Sequence, residues 1–165
     1  MNESLTPGDP GLLGATVQAD GINFAVYSRD AEQIDLCLFN EEGTQQTARL
    51  PLPARDGHVW HGFLPNAKDG LVYGLRAHGP YTPDQGLRFN AQKLLLDPYA
   101  RELTGTFQWH DAHYGYDTTS PDKDLSFSTL DNAPYMYKAV ARDLAAFDTN
   151  ALRTPSGWAG TAIYE

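Results

Sequence analysis

Histidine and carboxylate side chains gather most densely in the stretch WHDAHYGYD, which places His110, Asp111, His113 and Asp117 within eight positions. Imidazole nitrogens and carboxylate oxygens are the ligands that zinc takes in proteins. A zinc site built on His-x-x-His takes a helix that aligns the two rings, or a second ligand pair elsewhere. The sequence around this stretch offers neither. We therefore predict no metal site here, and no other motif indicates a cofactor.

Further candidates lie in runs that alternate like β-strands. His58 and His61 are three positions apart in HVWHGFL, so on a strand they point to opposite faces and cannot share a metal ion. Trp60 is the candidate glycan-binding residue, because its ring could stack on a sugar, although on an alternating strand such a ring also suits a core or interface position. Cys37 has no histidine signature nearby, which predicts a packed thiol.

The stretch HGPYTPDQGLRFNAQKLLLDPYA, residues 78–100, mixes charged and aromatic side chains without a clean period. Its candidate contact residues are Tyr81, Arg88, Asn90, Lys93, Asp97 and Tyr99. Buried donors and acceptors of these kinds must find partners, whereas exposed charges often contribute little. The residues alone leave three interpretations open: a solvated surface loop, a binding site, or one side of a contact.

Short alternating runs position these residues in the first half of the chain. GATVQAD and GINFAVYS meet at Asp20-Gly21, a dipeptide that favours a tight hairpin turn. Three apolar faces should point inward: Ile22, Phe24 and Val26; Ile34, Leu36 and Leu38; and Leu71, Tyr73 and Leu75. The more polar TQQTARLPL suits an edge strand. Short strands with turn signals roughly every 8–12 residues predict an antiparallel β-sandwich.

The second part of the chain, residues 105–165, has little periodicity, yet ten of the nineteen aromatic residues lie between Phe107 and Tyr164. Disordered segments are poor in aromatic residues, and long loops without structure are uncommon in compact domains. We therefore expect this tail to be ordered by packing on more than the small strand-rich half. A short, tertiary-supported helix is predicted from Lys138 to Phe147, and the closing GTAIYE has the pattern of a strand that is cut off.

Composition and charge limit the classes of partner. The net charge is −9 and the pI about 4.8, so the chain repels phosphate groups, and we predict binding neither to nucleic acid nor to a membrane. A neutral glycan is compatible with this charge. The single cysteine cannot form an internal disulfide. The sequence also shows no leader with a basic and an apolar part, and no apolar run of membrane length. Together with the single cysteine, these features predict a cytoplasmic protein.

Several stretches together resemble the N-terminal region of bacterial glycogen debranching enzymes and isoamylases, in glycoside hydrolase family 13. The resemblance covers nearly the whole chain, and its motifs occur in the expected order. They are TPGDPGLLGAT, GINFAVYS, VWHGFLP, YGLRAHGPY, GLRFNAQKLLLDPYARELTG, WHDAHYGY, DNAPYM and TAIYE. Each motif alone is unspecific, whereas all of them in this order are specific.

The resemblance implies a definite domain layout. Residues 10–104 would form an all-β, Ig-like antiparallel β-sandwich, a family 48 carbohydrate-binding-type module. Residues 105–157 would be an irregular connector that packs on a (β/α)8 barrel, and residues 158–165 would open the first strand of that barrel, which the chain truncates. The stretch from Tyr81 to Tyr99 would then lie at the seam between module and barrel.

The resemblance also implies the chemistry of the whole enzyme, which is retaining hydrolysis of α-1,6 branch points in glycogen or branched dextrin. That reaction takes two carboxyl groups about 5 Å apart, which in the family lie on later barrel strands. We therefore predict no catalytic residue in this chain.

The glycan-binding relatives have a loop tryptophan and a lysine soon after the tyrosine that corresponds to Tyr73. In this sequence the corresponding loop, FNEEGTQQ, has no aromatic residue, and Gly74 follows Tyr73.

Three functions remain as hypotheses. The favoured one is an accessory domain that supports glycan hydrolysis by a catalytic barrel. The second is an autonomous glucan-binding module, which a row of exposed aromatic residues on one sheet face would support. The third is a generic Ig-like interaction domain without a carbohydrate role.

Overall fold

The computed structural model describes residues 4–143, and in this part of the chain the regular structure is almost entirely β. The strands are β1 Gly14–Gln18, β2 Gly21–Tyr27, β3 Gln33–Phe39, β4 Gln46–Pro51, β5 Ala54–Asp56, β6 Val59–Pro65, β7 Val72–His78, β8 Tyr81–Thr82, β9 Leu87–Arg88, β10 Glu102–Thr104 and β11 Lys138–Val140. The helices of this part are single 3₁₀ turns at Pro83–Gln85, Asp111–His113, Lys123–Leu125 and Ala133–Tyr135. No helix within residues 4–143 has the length and apolar character needed to cross a membrane.

The strands form two main antiparallel sheets. The four-stranded sheet has the order β1-β2-β6-β5, and the five-stranded sheet has the order β10-β11-β7-β3-β4. Strands β8 and β9 form a separate small hairpin. The predicted hairpin at Asp20-Gly21 is confirmed, with Gln18 paired to Gly21, and β4 is an edge strand as its polar sequence predicted. The all-β, antiparallel fold class is therefore confirmed for residues 4–143.

The predicted inward faces meet in one apolar core. It joins Ile22, Phe24 and Val26 of β2 to Ile34, Leu36 and Leu38 of β3 and to Tyr73 and Leu75 of β7. Leu71, just before β7, is partly buried against the same core. Since these residues come from both sheets, the core lies between them, which is how alternating strands bury one side of each sheet.

The opposite face of the five-stranded sheet is also buried. Cys37, Phe39, Val72 and Val140 form a second apolar cluster there with Leu94 and Ala133. Because Leu94 and Ala133 come from outside the sheet, the stretch after β9 and the connector cover this outer face. Cys37 is fully buried, as predicted for a packed thiol, and burial raises the pKa of this thiol.

The N-terminal residues cover the outer face of the four-stranded sheet. Thr6 pairs with Phe63 through two backbone hydrogen bonds, from Thr6 N to Phe63 O at 3.0 Å and from Phe63 N to Thr6 O at 2.7 Å. The side chain of Asn23 is buried and accepts from Asp9 N at 2.7 Å through Oδ1. Both sheets therefore have an apolar inner face and an outer face that the chain itself covers.

One element differs from the sequence prediction. Residues 138–140 were expected to begin a helix, but they form β11, which pairs with β10 on one side and with β7 on the other. A helix start was inferred from local composition, whereas the two neighbouring strands offer hydrogen-bond partners that no local pattern reveals. The remainder of the predicted helix and the predicted barrel strand at 158–165 lie outside the described residues.

Candidate functional site at the seam between the sandwich and the connector

The two histidines of the WHDAHYGYD stretch are occupied by local contacts. His110 accepts a hydrogen bond from Ala112 N at 3.1 Å through Nδ1, and its ring stacks on Tyr135 with centroids 4.0 Å apart. His113 Nε2 lies 2.8 Å from the carbonyl oxygen of Gln108. In residues 4–143 no group of three or more histidine, cysteine or carboxylate side chains is placed to hold a metal ion.

Trp60, the candidate glycan-binding residue, is only partly exposed. Its ring packs against the core, its Nε1 donates to Ser28 O at 3.3 Å, and the Arg55 guanidinium lies 5.0 Å from the ring centroid. His58, just before β6, is exposed, whereas His61 is buried and accepts from Gly8 N at 3.2 Å. The strand therefore separates the two histidines, and the role of Trp60 in glycan binding stays a prediction.

The polar residues of the 78–100 stretch find their partners in the connector. Asn90 donates through Nδ2 to Ser128 O at 2.8 Å and to Gly115 O at 3.2 Å. Lys93 donates through Nζ to Leu130 O at 2.7 Å and to the Ser128 hydroxyl at 3.0 Å. Burial lowers the pKa of Lys93. Both side chains are buried, so these bonds satisfy groups that would otherwise be costly to remove from water.

Two further residues of the stretch also contact the connector. The Tyr81 hydroxyl donates to Ser126 O, and the Tyr81 ring meets the Phe127 ring edge-on at 4.9 Å. Arg88 donates to the backbone oxygen of Asp124 at 2.7 Å and to its carboxylate at 3.1 Å. The side chains of Arg88 and Asp124 are both exposed. Within residues 4–143 the partner of Arg88 is thus the connector, and the predicted seam of this stretch with a barrel stays a prediction.

The last two candidates face the sandwich. Asp97 is buried and accepts from the Tyr73 hydroxyl at 2.7 Å through Oδ2 and from Tyr99 N at 2.8 Å through Oδ1. Burial raises the pKa of the Tyr73 hydroxyl. Tyr99 is half exposed. Its Cβ packs so closely on Gly14 that a Cβ added at residue 14 would lie only 2.6 Å from it. These contacts fix the end of the 78–100 stretch on the sandwich.

Sequence reasoning missed Arg76, the most deeply buried cation of residues 4–143. Its guanidinium, only 2% exposed, donates to both carboxylate oxygens of Asp131 at 2.8 and 2.9 Å and to Ala91 O at 3.1 Å. Lys138 was also missed; it donates to Ala133 O and to Met136 O at 2.7 Å, and burial lowers its pKa. Alternation along β7 predicted that Arg76 points away from the core, on the other face of the sheet from Leu75. No local signal in the sequence showed that this outer face is covered.

The covered face includes the position that the resemblance associates with glycan binding. Gly74 lies under Leu94, whose side-chain atoms come within 2.7–3.2 Å of where a Cβ of residue 74 would stand. A longer side chain at this position would collide with the covering segment. The loop between β3 and β4 is held by Asn40, whose Oδ1 accepts from Thr44 N and Gln45 N at 2.8 and 2.9 Å.

An apolar groove opens beside the seam. It has a volume of about 930 Å³ and runs between one end of the sandwich and the connector. Three of its lining residues are large and exposed: Tyr27, Leu95 and Trp109, at 59%, 44% and 79%. We use the name apolar groove for this surface. The rings of Phe107 and His113 are stacked 4.7 Å apart, and both meet the Trp109 ring edge-on, with centroids 5.3 and 6.0 Å away.

The two antiparallel sheets and the apolar core between them define a β-sandwich module. Comparison with known families identifies the module. Residues 12–100 match the family Carbohydrate-binding module 48 (Isoamylase N-terminal domain). The chain therefore belongs to this family, as the resemblance of its motifs indicated.

Curated relatives match most of the chain. A glycogen debranching enzyme of Serratia proteamaculans is 45% identical over 98% of this chain and 23% of its own length. One from Pectobacterium carotovorum is 55% identical over 61% of the chain and 15% of its own length. The match covers the N-terminal region of these relatives, so the chain spans about a quarter of their length or less.

A solved structure shares the fold. The catalytic module of the glycogen-degrading pneumococcal virulence factor SpuA, in complex with an inhibitor, superimposes with a TM-score of 0.56 over 89% of this chain and 18% of its own length. The sequence identity is 18%, and at that level the similarity concerns the fold alone.

Proposed function

We propose that the chain is the N-terminal accessory segment of a cytoplasmic, isoamylase-type debranching enzyme that hydrolyses α-1,6 branch points in glycogen or branched dextrin. Hydrolysis itself would take place on a (β/α)8 barrel, in which a carboxylate nucleophile and a carboxylic acid stand about 5 Å apart. The sandwich, residues 10–104, and the connector, residues 105–157, would support that barrel, and residues 158–165 would open its first strand.

The observation that carries this proposal is the way the connector is fastened to the sandwich. Asn90 and Lys93 hold the connector backbone through buried hydrogen bonds, and β11 enters the sandwich sheet beside β7. A flexible tether would need none of these contacts. A fixed connector sets the position of whatever follows it, which suits an accessory segment that supports a second domain.

The seam residues have a positioning role in this proposal. Tyr81, Arg88, Asn90 and Lys93 tie the 78–100 stretch to the connector, and Asp97 and Tyr99 tie it to the sandwich. None of them would touch the glucan. Their role is to keep the sandwich and the connector in one arrangement while the barrel binds and cleaves its substrate.

A chimera tests the proposal. The chain would replace the matched N-terminal region of the Serratia proteamaculans glycogen debranching enzyme, and release of reducing ends from a branched dextrin would be measured. We expect the chimera to hydrolyse the dextrin at a rate comparable to that of the intact relative, and the chain alone to release nothing above a heat-treated control. A soluble, folded chimera without activity would contradict the proposal.

Autonomous glucan binding is the alternative function, and two contacts weigh against it. Leu94 covers Gly74 on the outer face of the five-stranded sheet, and Arg55 lies over the ring of Trp60. We therefore expect no retardation of the chain in a glycogen-containing gel. Clear retardation that is lost on Trp60→Ala would favour the autonomous module.

A further inference from the structure

Three turns of the chain carry the dipeptide Asp-Gly: Asp20-Gly21, Asp56-Gly57 and Asp69-Gly70. An aspartate before glycine undergoes one spontaneous reaction readily, because glycine has no side chain that shields its backbone nitrogen. The nitrogen bonds to Cγ of the protonated aspartate, and the carboxyl hydroxyl leaves as water with the amide proton. The product is a five-membered succinimide ring.

Water then opens this ring at one of its two carbonyl carbons. Opening at Cγ restores aspartate, whereas opening at the backbone carbonyl carbon gives isoaspartate, whose main chain runs through Cβ and Cγ. The water that was lost is thereby returned, so the isomerisation consumes no further reagent and leaves the mass unchanged. The rate depends on how freely the glycine nitrogen can approach Cγ, and the fold holds the three dipeptides differently.

Asp69-Gly70 is held at both reacting groups. The Asp69 carboxylate accepts from Asp143 N at 2.6 Å and from Arg142 Nη1 at 3.1 Å. The nitrogen of Gly70 donates to Ala141 O at 2.9 Å. Ring closure at this turn therefore requires that all three hydrogen bonds break first.

Asp20-Gly21 is held through its backbone. Gly21 is the buried first residue of β2 and pairs with Pro65 of β6. A Cβ added at residue 21 would lie only 2.3 Å from Leu64 O, so the backbone around this glycine is closely packed. The carbonyl oxygen of Asp20 accepts from Asn66 N at 2.7 Å. The peptide group between the two residues is thus fixed from both ends.

Asp56-Gly57 lacks these restraints. It lies at the turn between β5 and β6, and within residues 4–143 the Asp56 carboxylate accepts no hydrogen bond and Gly57 N donates none. In this part of the chain a Cβ added at residue 57 would meet no atom within 4 Å beyond its chain neighbours. Exposure alone does not distinguish the site, because Asp20 and Asp69 are exposed as well. The freedom of both reacting groups does.

We infer that Asp56-Gly57 is a site of spontaneous isoaspartate formation in the folded protein, and that the fold protects the two other dipeptides. The inference does not depend on the proposed function. Arg55 donates through Nε to Gly57 O at 2.9 Å, and its guanidinium lies over the ring of Trp60. An extra main-chain carbon between residues 56 and 57 displaces that acceptor. Because the turn is exposed, an enzyme that methylates isoaspartate carboxylates can reach the product.

Ageing of the chain at neutral pH and physiological temperature, followed by digestion and mass spectrometry, tests the inference. Isoaspartate is located by electron-transfer fragmentation and by resistance to Asp-N endopeptidase. We expect its amount at residue 56 to exceed that at residues 20 and 69 several-fold. In chain unfolded by urea, the three residues should isomerise at similar rates, because only the fold distinguishes them. In the folded chain, equal amounts at the three residues, or none at residue 56, would overturn the inference.

A second measurement uses an isoaspartate carboxyl methyltransferase, which transfers labelled methyl groups from S-adenosylmethionine to the aged chain. Asp56→Glu keeps the charge but requires a six-membered ring, so incorporation should fall several-fold in this variant. Asp20→Glu makes the same exchange at a protected turn, where the carboxylate has no hydrogen bond within residues 4–143, and should leave incorporation unchanged. Unchanged incorporation in Asp56→Glu, or an equal fall in Asp20→Glu, would refute the inference.

Discussion

The two faces of the five-stranded sheet are both buried, but they are buried by different chemistry. On the inner face Leu36, Leu38 and Leu75 meet the other sheet in an apolar core. On the outer face Arg76 and Lys93 are covered together with a few apolar residues, and both donate hydrogen bonds to acceptors in the connector.

This difference shows that the burial of the outer face depends on particular residues far along the chain. An apolar core tolerates changes in its neighbours as long as volume is kept. A buried cation depends on particular acceptors, and loss of one leaves an uncompensated charge. The partners of Arg76 and Lys93 lie some 35 to 55 positions further along the chain, so the outer face ties the sandwich to the connector.

The largest expected effect is on the inner face. Leu36→Ala should lower the free energy of unfolding by roughly 2–5 kcal/mol, because a fully buried side chain would leave a cavity. Urea unfolding followed by circular dichroism measures this. Leu125→Ala, in an exposed position, should change the value by less than about 0.5 kcal/mol. Similar losses in the two variants would break the distinction between core and surface.

A smaller effect is expected when the buried ion pair of the outer face is broken. Asp131→Asn should cost about 2 kcal/mol, less than for a fully buried pair because Asp131 is half exposed. The asparagine of this variant keeps an oxygen that can accept a hydrogen bond from Ala133 N, but the substitution removes the negative charge that faces Arg76. Arg76→Met, which removes the buried charge itself, should cost less in the same urea assay. The opposite ranking would contradict the role given to this charge.

A third expectation concerns acid. Burial alone would raise the pKa of Asp35, but hydrogen bonds from His78, Arg49 and Gln33 outweigh it and hold that pKa below its usual value. A carboxylate with a depressed folded pKa stabilises the fold above its unfolded pKa of about 3.9, and this contribution is lost as the pH falls through the folded pKa. Unfolding free energies measured from about pH 5 downward should therefore fall.

The control for this expectation is Asp35→Asn, which has no carboxylate to titrate at that position. Its unfolding free energy should start lower than that of the wild type and should depend less on pH in the acid range. Parallel profiles for the two proteins would show that other carboxylates cause the acid sensitivity.

The smallest effect is expected at Arg88. Its contact with Asp124 is exposed on both sides, and exposed ion pairs typically contribute below about 1 kcal/mol. Arg88→Ala should therefore lower the stability of the chain only slightly, and Lys93→Met at the buried part of the seam serves for comparison. A loss at Arg88 as large as that of Asp131→Asn would show that this exposed contact holds the connector as strongly as the buried ion pair does.

The inner face could be predicted from sequence because its signal is local. Ile22, Phe24 and Val26 alternate with other residues along a single strand, and the Asp20-Gly21 turn fixes the register of that strand with its neighbour. Short strands with regular turn signals predicted the sandwich class, and the family motifs agreed with it. For the 78–100 stretch the residues alone left a surface loop, a binding site and a contact as open interpretations, and its observed partners in the connector could not be named from its own residues.

The outer face could not be predicted because its partners are remote and irregular. Arg76 alternates as an exposed residue would, and only Asp131 and Ala91, brought in by the chain after β9, explain its burial. Residues 138–140 are too few to show a period of two, so their alanine-containing surroundings suggested a helix. Pairing with β7 and β10 decides their conformation.

The place of β11 between β7 and β10 has a consequence for the growing polypeptide. Until residue 140 has been synthesised, Val72 and Tyr73 at the start of β7 have no strand partner on that side, where Leu95 pairs only with Leu75, and β10 has none in the sheet, although both strands are complete by residue 104. At a synthesis rate of about 5–20 residues per second, the 36 residues from 104 to 140 take roughly 2 to 7 s. During that time the nascent chain presents an open strand edge of the kind that pairs with other chains.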